Sequence, residues 1–470
     1  MFRSQESSPS VHSRQRSRDA RIHARLLTRP LAAAALGAAL VLGTQGVPLR
    51  AALPPGTVIQ QWNQIAEDTV IGSGAFQNEG LIYMAYVSAA VYDAVVAIEG
   101  GYEPYASRIE AAPGASVDAA VVEAAYTTLR FYFADFGGLV ANLDARHAEA
   151  LALLPAGSGT NAGRNVGVAA ANAIIALRTN DGRITPVAST SSFPTNAPGP
   201  GVWRLTPPFT PPFDKPQTPW VGAVSPFILT GSDQFHPPSP PPLTSQRWVD
   251  EFNEVKDLGA ATSGSRAPAE TATARFWTAN VIRQYNRLGR DLALARSLDP
   301  MQSARLLAMI NVVGADAQIS VMHWKYEFLF WRPVTAIDPT AVIADGFGPV
   351  DGFEDGNDRT PEEPGWRPLV ANVPNHPEYP GAHGSITSAV AEVLTEFLGT
   401  DQLNIDIRGT DAGGALNATH HFDTATQLRE EIVGARLWAG LHYRGSTEAG
   451  IDLGRKVAHY DLNHAFRPVR

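Results

Sequence analysis

Lys325 and Arg332 stand seven residues apart in RLLAMINVVGADAQISVMHWKYEFLFWRP, a run apolar on nearly every face, as a helix inside a bundle would be. Unpaired charge in such a place is costly, so each cation needs a partner. A helix continued through both would set them ~20° apart on one face and roughly 10 Å apart along the axis. Two long cationic side chains can then converge on one anion, or each can pair with a buried carboxylate. Pro333 is expected to end the helix. A second stretch, HPEYPGAHGS at 376–385, sets His383 behind a Pro-Gly turn. After it, Ile386, Ala389, Val390, Val393, Leu394 and Phe397 share one helical face. His383 therefore heads a helix, where unpaired amides and the positive dipole end favour an anion. In a third stretch, GARLWAGLHYRGST at 434–447, Arg436 and His442 are six apart. A straight helix separates them by ~120°, so they reach one ligand only at the helix flank or if the helix loosens near Gly440. A histidine so near a helix end also serves well as a cap or core residue.

Helices must position these groups. Helical periodicity runs through 79–99, 116–136, 138–154, 161–179, 245–257, 268–287, 300–332, 383–399, 424–441 and 446–464, whereas strand-like alternation is scarce. Between 186 and 244 lies a proline-rich connection with PTNAPGPG, TPPFTPPFDKP and HPPSPPPL, which can be neither helix nor central strand. Phe193, Trp203, Phe209, Phe213, Trp220 and Phe227 recur through it, so it is expected to pack against the body. DGFGPVDGFEDGNDRTPEEPG at 345–365 reads as an acidic surface loop whose acids lack the spacing of a calcium loop. Four regions follow: a targeting segment at 1–52, an N-terminal helical region at 53–185, the connection at 186–244, and a C-terminal bundle at 245–470.

The chain has 470 residues, 44% apolar and 18% charged, and no cysteine, so disulfides, thiolate metal sites and a cysteine nucleophile are excluded. Six arginines between Arg14 and Arg29 precede LAAAALGAALVLG at 31–43, the pattern of an export signal, with a periplasmic or extracellular destination. Arg and Ser in the first thirty residues also suit a mitochondrial presequence, but the apolar run favours export and is too short to span a bilayer. Net charge is −9, and loss of residues 1–52 makes it roughly −15, which disfavours nucleic acid as a partner.

Taken in order, KYEFLFWRP, YPGAHG and ARLWAGLH resemble the three-part signature of vanadium-dependent haloperoxidases and type-2 phosphatidic acid phosphatases: Lys-x6-Arg-Pro, Pro-Ser-Gly-His and Ser-Arg-x5-His. WNQIAEDTV, IYMAYVSAAVYDAVVAI and TARFWTANVI extend the similarity to the bacterial and plant-type haloperoxidase branch. The resemblance implies an all-α fold of two helical bundles, with an anion cage built mainly from residue 300 onward. It implies that Lys325, Arg332 and Arg436 hold the equatorial oxygens of vanadate, with backbone N–H groups of Gly381 and Ala382 donating as well. His442 would be the axial metal ligand, and His383 the acid–base that deprotonates hydrogen peroxide. Vanadate resembles phosphate, which can occupy such a cage in its absence. Hydrogen peroxide, a halide and a small organic acceptor would be the substrates, hypohalous acid the product, and a homodimer the assembly common in the family. His376 aligns where chloride-oxidising members have an aromatic residue and several bromide-oxidising ones have histidine, which favours bromide or iodide. Glu327, His323, His420, His421 and Arg444 read as structural or supporting residues.

The sequence departs from the signature in places. Gly381 replaces the serine, Ala382 the glycine, and Ala435 the second serine. A lost charge-assisted hydrogen bond weakens binding by about one to two powers of ten unless water substitutes, so Gly381→Ser is expected to tighten vanadate binding. The same cage also suits a soluble exported acid phosphatase, with His442 as nucleophile and His383 protonating the leaving alcohol, or a non-catalytic oxyanion-binding protein.

Overall fold

Ser116, Ser245, Asn280, Asp299 and Thr424 each accept a hydrogen bond from a backbone N–H two or three residues on, and so begin the helices that follow them. Gln302 and Gln427 return the bond to the capping residue's amide. A computed structural model describes residues 57–184, 199–206, 215–341, 355–409 and 418–469. Its helices are α1 (Val58–Gly72), α2 (Gln77–Glu99), α3 (Val117–Tyr132), α4 (Gly137–Leu153), α5 (Ser158–Leu177), α6 (Gln246–Leu258), α7 (Pro268–Phe276), α8 (Val281–Ala295), α9 (Pro300–Phe328), α10 (Pro333–Ile337), α11 (Ala382–Leu398), α12 (Ala425–Trp438) and α13 (Arg444–His464). The fold is mostly helical, as the periodicity indicates. A single antiparallel ribbon pairs β1 (Gln402–Arg408) with β2 (Thr419–Thr424), and Leu403, Ile405 and Ile407 alternate inward along it.

Two helical expectations need correction. The segment 268–287 is not one helix: α7 stops at Phe276, and Asn280 caps a new start for α8. More consequentially, α9 does not run to Arg332. It ends at Phe328, where Leu329 takes a left-handed conformation with φ 47°, and Pro333 opens α10 with Arg332 as its N-cap. Lys325 and Arg332 therefore do not share a helical face, and whatever brings them together is the turn between α9 and α10.

Helix α9 is nearly all buried and packs on α2, α8, α11 and α13. Both α2 and α9 are long and apolar enough to cross a membrane, but 89% and 94% of those apolar windows lie buried against the rest of the protein. The main apolar core accordingly draws on residues from Ile59 to Phe466. A second, aromatic cluster stacks Trp248 on Trp331 and sets Tyr443 edge-on to Trp248, gripping the chain just before Arg332 and just after His442. The proline-rich connection packs inward where it is described: Trp203 and Phe227 are buried and Trp220 half-buried, while Phe193, Phe209 and Phe213 lie outside the described residues. Asp316 on α9 anchors it by accepting from the amides of Phe227, Ile228 and Leu229 at 2.6, 2.7 and 3.1 Å. The targeting segment 1–52 and residues 345–354 of the acidic loop also fall outside the described residues.

Asp461 on α13 is fully buried, and neither carboxylate oxygen has a partner. Burial, and then the charge of Asp316, hold its pKa well above the ordinary aspartate value. The native group thus keeps a proton that the unfolded chain has lost, and stability falls as pH rises from the unfolded aspartate range toward the native pKa. Asp461→Asn should therefore stabilise the protein by about 1–3 kcal/mol at about pH 8 and by less at about pH 5. Urea unfolding at both pH values measures this, and an equal change at the two would refute it.

Candidate active site

The chain approaches the site through close helix packing. Gly381 is the N-cap of α11, and its amide donates to Ser446 O at 2.8 Å on the first turn of α13. Gly384, Gly450 and Gly454 lie along the same contact, where an added Cβ would strike backbone of the facing helix. The two helix N-termini are thereby locked side by side. Ala382, His383 and Gly384, the first three residues of α11, have amides with no acceptor in their own helix by position.

Around this corner stand three buried cations, Lys325, Arg332 and Arg436. Lys325 Nζ donates to the carbonyls of Pro377 (3.0 Å) and Glu378 (2.7 Å). Arg332 donates to the carbonyls of His376, Pro374 and Leu441 at 3.0–3.1 Å, and its Nη1 lies 3.1 Å from His442 Nε2. Arg436 Nη1 reaches only Trp277 O at 3.3 Å, and its Nε has no partner. Among the described residues, none of the three forms an ion pair with a carboxylate. That decides between the two sequence alternatives, because carbonyl dipoles orient a cation without cancelling its charge. Burial, with the field of Arg332, pushes Arg436 down to about 9, and burial pushes Arg332 itself to about 10. Burial and then Arg332 push Lys325 well below the usual lysine value. Charge of the opposite sign is what the cage lacks.

Glu378 supplies part of it, and the sequence reading passed over this residue. Its Oε1 accepts from the Tyr443 amide (3.2 Å) and lies 2.7 Å from His442 Nδ1. Arginine can only donate, so Arg332 Nη1 beside Nε2 requires a lone pair there, and the ring proton sits on Nδ1, pointing at Glu378. Burial raises Glu378 to about 7 against the opposing charges of Lys325 and Arg332. The one sequence signal was a lone carboxylate inside HPEYPGAHG, a stretch with no other acid.

The remaining predicted residues are placed as follows. Helix α12 ends at Trp438 and Gly440 adopts φ 72°, so His442 leaves the helix and turns back toward Arg332, the loosening that the spacing required. His383, second residue of α11, alone keeps partial exposure among Lys325, Arg332, Arg436, His442 and itself. Burial, then Arg436, Lys325 and Arg332, depress its pKa well below the ordinary histidine value, which leaves it neutral and able to accept a proton. His376 is buried with Nδ1 3.1 Å from Arg332 Nη2. One expectation fails: the Gly381 amide is not available to a ligand, because α13 takes it. His420 pairs with Glu431, His421 with Asp406 and Asp423, and Arg444 with Glu254, all in supporting contacts away from the cage cations.

Residues 305–470, which hold every one of these cage groups, match the family model of the VCPO second helical-bundle domain. Over 310 residues the chain is 26% identical to the vanadium chloroperoxidase of Curvularia inaequalis, covering 52% of this chain and 48% of that protein. The chain thus spans about half the length of the curated relative it matches. Among solved structures, a bacterial vanadium-dependent iodoperoxidase superposes with TM-score 0.68 at 21% identity, covering 89% of this chain and 99% of its own. An apo-type bacterial vanadium-dependent chloroperoxidase superposes with TM-score 0.61 at 17% identity, covering 82% and 94%. Residues 305–470 thus match the VCPO second helical-bundle domain, and the chain shares its fold with these solved structures. The cage suits the oxyanion of that family on its own chemistry too: three buried cations short of negative charge, an orphaned guanidinium Nε, a helix N-terminus and an imidazole lone pair converge.

Against that haloperoxidase frame, the glycine at 381 has a steric reason. A Cβ there would lie 2.9 Å from Thr447 Cα and 3.2 Å from Ser446 O, so a serine has no room unless α13 moves. Gly381→Ser is therefore expected to destabilise the fold by ~1–3 kcal/mol and to leave vanadate affinity no better, contrary to the expectation from the motif alone. Urea unfolding beside a vanadate titration checks both. Glu378→Leu, which removes the group that holds His442 in one tautomer, should weaken vanadate binding about 10–100-fold. An unchanged dissociation constant would mean that His442 is oriented without it.

Proposed function

We propose that this protein is a vanadium-dependent haloperoxidase, oxidising halide with hydrogen peroxide to hypohalous acid. The observation that carries the reading is the trio of buried cations, unpaired with any carboxylate among the described residues, surrounding a histidine whose Nε2 bears a lone pair. Lys325, Arg332 and Arg436 would grip the equatorial oxygens of vanadate, the free amides at the start of α11 would donate to it, and His442 Nε2 would ligate the metal. When bound, vanadate supplies Lewis acidity that makes peroxide electrophilic toward halide. His383 takes the proton from incoming hydrogen peroxide and can return it to the departing oxygen. Lys325 places positive charge where negative charge develops.

By the motif resemblance His376 stands where several bromide-oxidising members have histidine, which supports bromide or iodide over chloride, and its ring lies against Arg332 of the cage. An export pattern fits a catalyst whose product damages its surroundings. The Glu378–His442 pair favours a second reading as well, because a carboxylate behind the ring makes Nε2 a better nucleophile for phosphoryl transfer from a phosphate ester.

Vanadate-reconstituted protein given hydrogen peroxide and bromide should brominate a dye acceptor, and His442→Ala should abolish it. Cleavage of p-nitrophenyl phosphate without bromination would replace the first reading by the second. Since His383 must be neutral to accept a proton, kcat/KM for peroxide should fall as pH drops through its depressed pKa, below the ordinary histidine range. His383→Ala should lose about 10²–10⁴-fold in rate and that acid limb with it.

A further inference from the structure

Residue 381 offers the cage neither a hydroxyl, being glycine, nor its amide, which Ser446 takes. The helix that displaces both brings a hydroxyl of its own. Thr447, fourth residue of α13, is fully buried, and its Oγ1 has no hydrogen-bond partner. Its Cα lies 2.9 Å from where a Cβ on Gly381 would sit, and its methyl Cγ2 3.1 Å from where one on Gly384 would sit. Thr447 thus covers the first turn of α11, the turn that carries Ala382 and His383. The buried Thr69 and Thr128 and the half-buried Thr395 behave differently, whereas Thr335 on α10 is likewise unpartnered. Thr69, Thr128 and Thr395 each donate to the carbonyl four residues back, at 2.7, 2.8 and 2.9 Å. Thr447 could do the same with Tyr443 O and does not. Its hydroxyl makes no bond to its own helix, on the turn of α13 that packs against Gly381 and Gly384 at the head of α11, and a buried donor there is costly until an acceptor arrives.

We propose that Thr447 Oγ1 donates a hydrogen bond to the bound oxyanion, so that α13 supplies the hydroxyl that the family motif carries on the residue before α11. The inference rests on the oxyanion-cage reading above and adds a ligand-binding residue to it. Position 381 is glycine and position 447 threonine as a matched pair: the first makes room for the backbone of the second.

Equilibrium titration of the full-length protein with inorganic phosphate and with orthovanadate, by calorimetry, tests this on wild type, Thr447→Val, Thr447→Ser and Thr447→Ala. The isosteric Thr447→Val should weaken both anions about 10–100-fold, and Thr447→Ser, which keeps the hydroxyl, should stay within about threefold of wild type. Without anion, Thr447→Val should melt at the same temperature as wild type or higher, because a methyl replaces an unpaired hydroxyl. That combination of lost affinity and kept stability is one a purely structural threonine would not give. Anion affinity in Thr447→Val within about twofold of wild type overturns the proposal; should Val not fold, the same criterion applies to Thr447→Ala. Wild type that binds neither anion overturns the cage reading itself, a failure distinguishable from that of Thr447 alone.

Discussion

Like charges buried together set the terms for everything else here. Burial disfavours the charge on Lys325, Arg332 and Arg436, Arg332 adds to that at the other two, and in a low-dielectric interior such a cluster persists only where the surrounding fold holds it by force. The restraints are visible. Carbonyls of residues 374, 376, 377, 378 and 441 clamp Lys325 and Arg332, the Trp248–Trp331–Tyr443 stack fixes the backbone on either side, and α9 is packed on α1, α2, α8, α11 and α13. The stability gained in the apolar core is set against a site that is electrostatically unsatisfied until an anion enters. Binding and folding are therefore linked, since whatever binds the native cage and not the unfolded chain stabilises the former.

Much of this was legible in the chain itself. The helices follow apolar periodicity and capping residues, Lys325 and Arg332 stood out as cations near an apolar run, and the full cage was named by resemblance to the three-part signature. What periodicity could not supply was where regularity stops. Leu329 breaks α9 four residues before the proline that would be blamed for it, and Gly440 frees His442 from α12; both depend on a left-handed residue that tertiary packing selects. The position of Arg332 was therefore right in outcome and wrong in cause: it meets Lys325 through a turn and not along a helical face. Glu378 and Thr447 were missed for a related reason. Their roles arise from partners 64 residues away in one case and from a neighbouring helix's glycines in the other, and a single chain read linearly carries no signal for either.

Arg332 has the most constrained place in the cage, because its Nη1 occupies the lone pair of His442 that a ligated centre would need. The two arrangements exclude each other, so on the proposed reading an oxyanion would take the guanidinium N–H from the imidazole and leave the Nε2 lone pair open. Glu378 keeps this exchange possible by fixing the ring proton on the far nitrogen throughout. If the proton sat on Nε2 instead, that nitrogen would repel the guanidinium and have no lone pair to offer a central metal atom.

Access follows from the same geometry. Lys325, Arg332, Arg436 and His442 are sealed, and His383 alone among the cage groups touches solvent. His383 is thus the cage group that a small reactant can reach, and its neutrality is enforced by burial first and then by Arg436, Lys325 and Arg332. When an anion offsets those cations, the field that depresses its pKa weakens, and the ring becomes a stronger base as the site fills. On the proposed reading, the basicity of His383 would thus be set by whether the cage beyond it is loaded, which would couple proton transfer to occupancy.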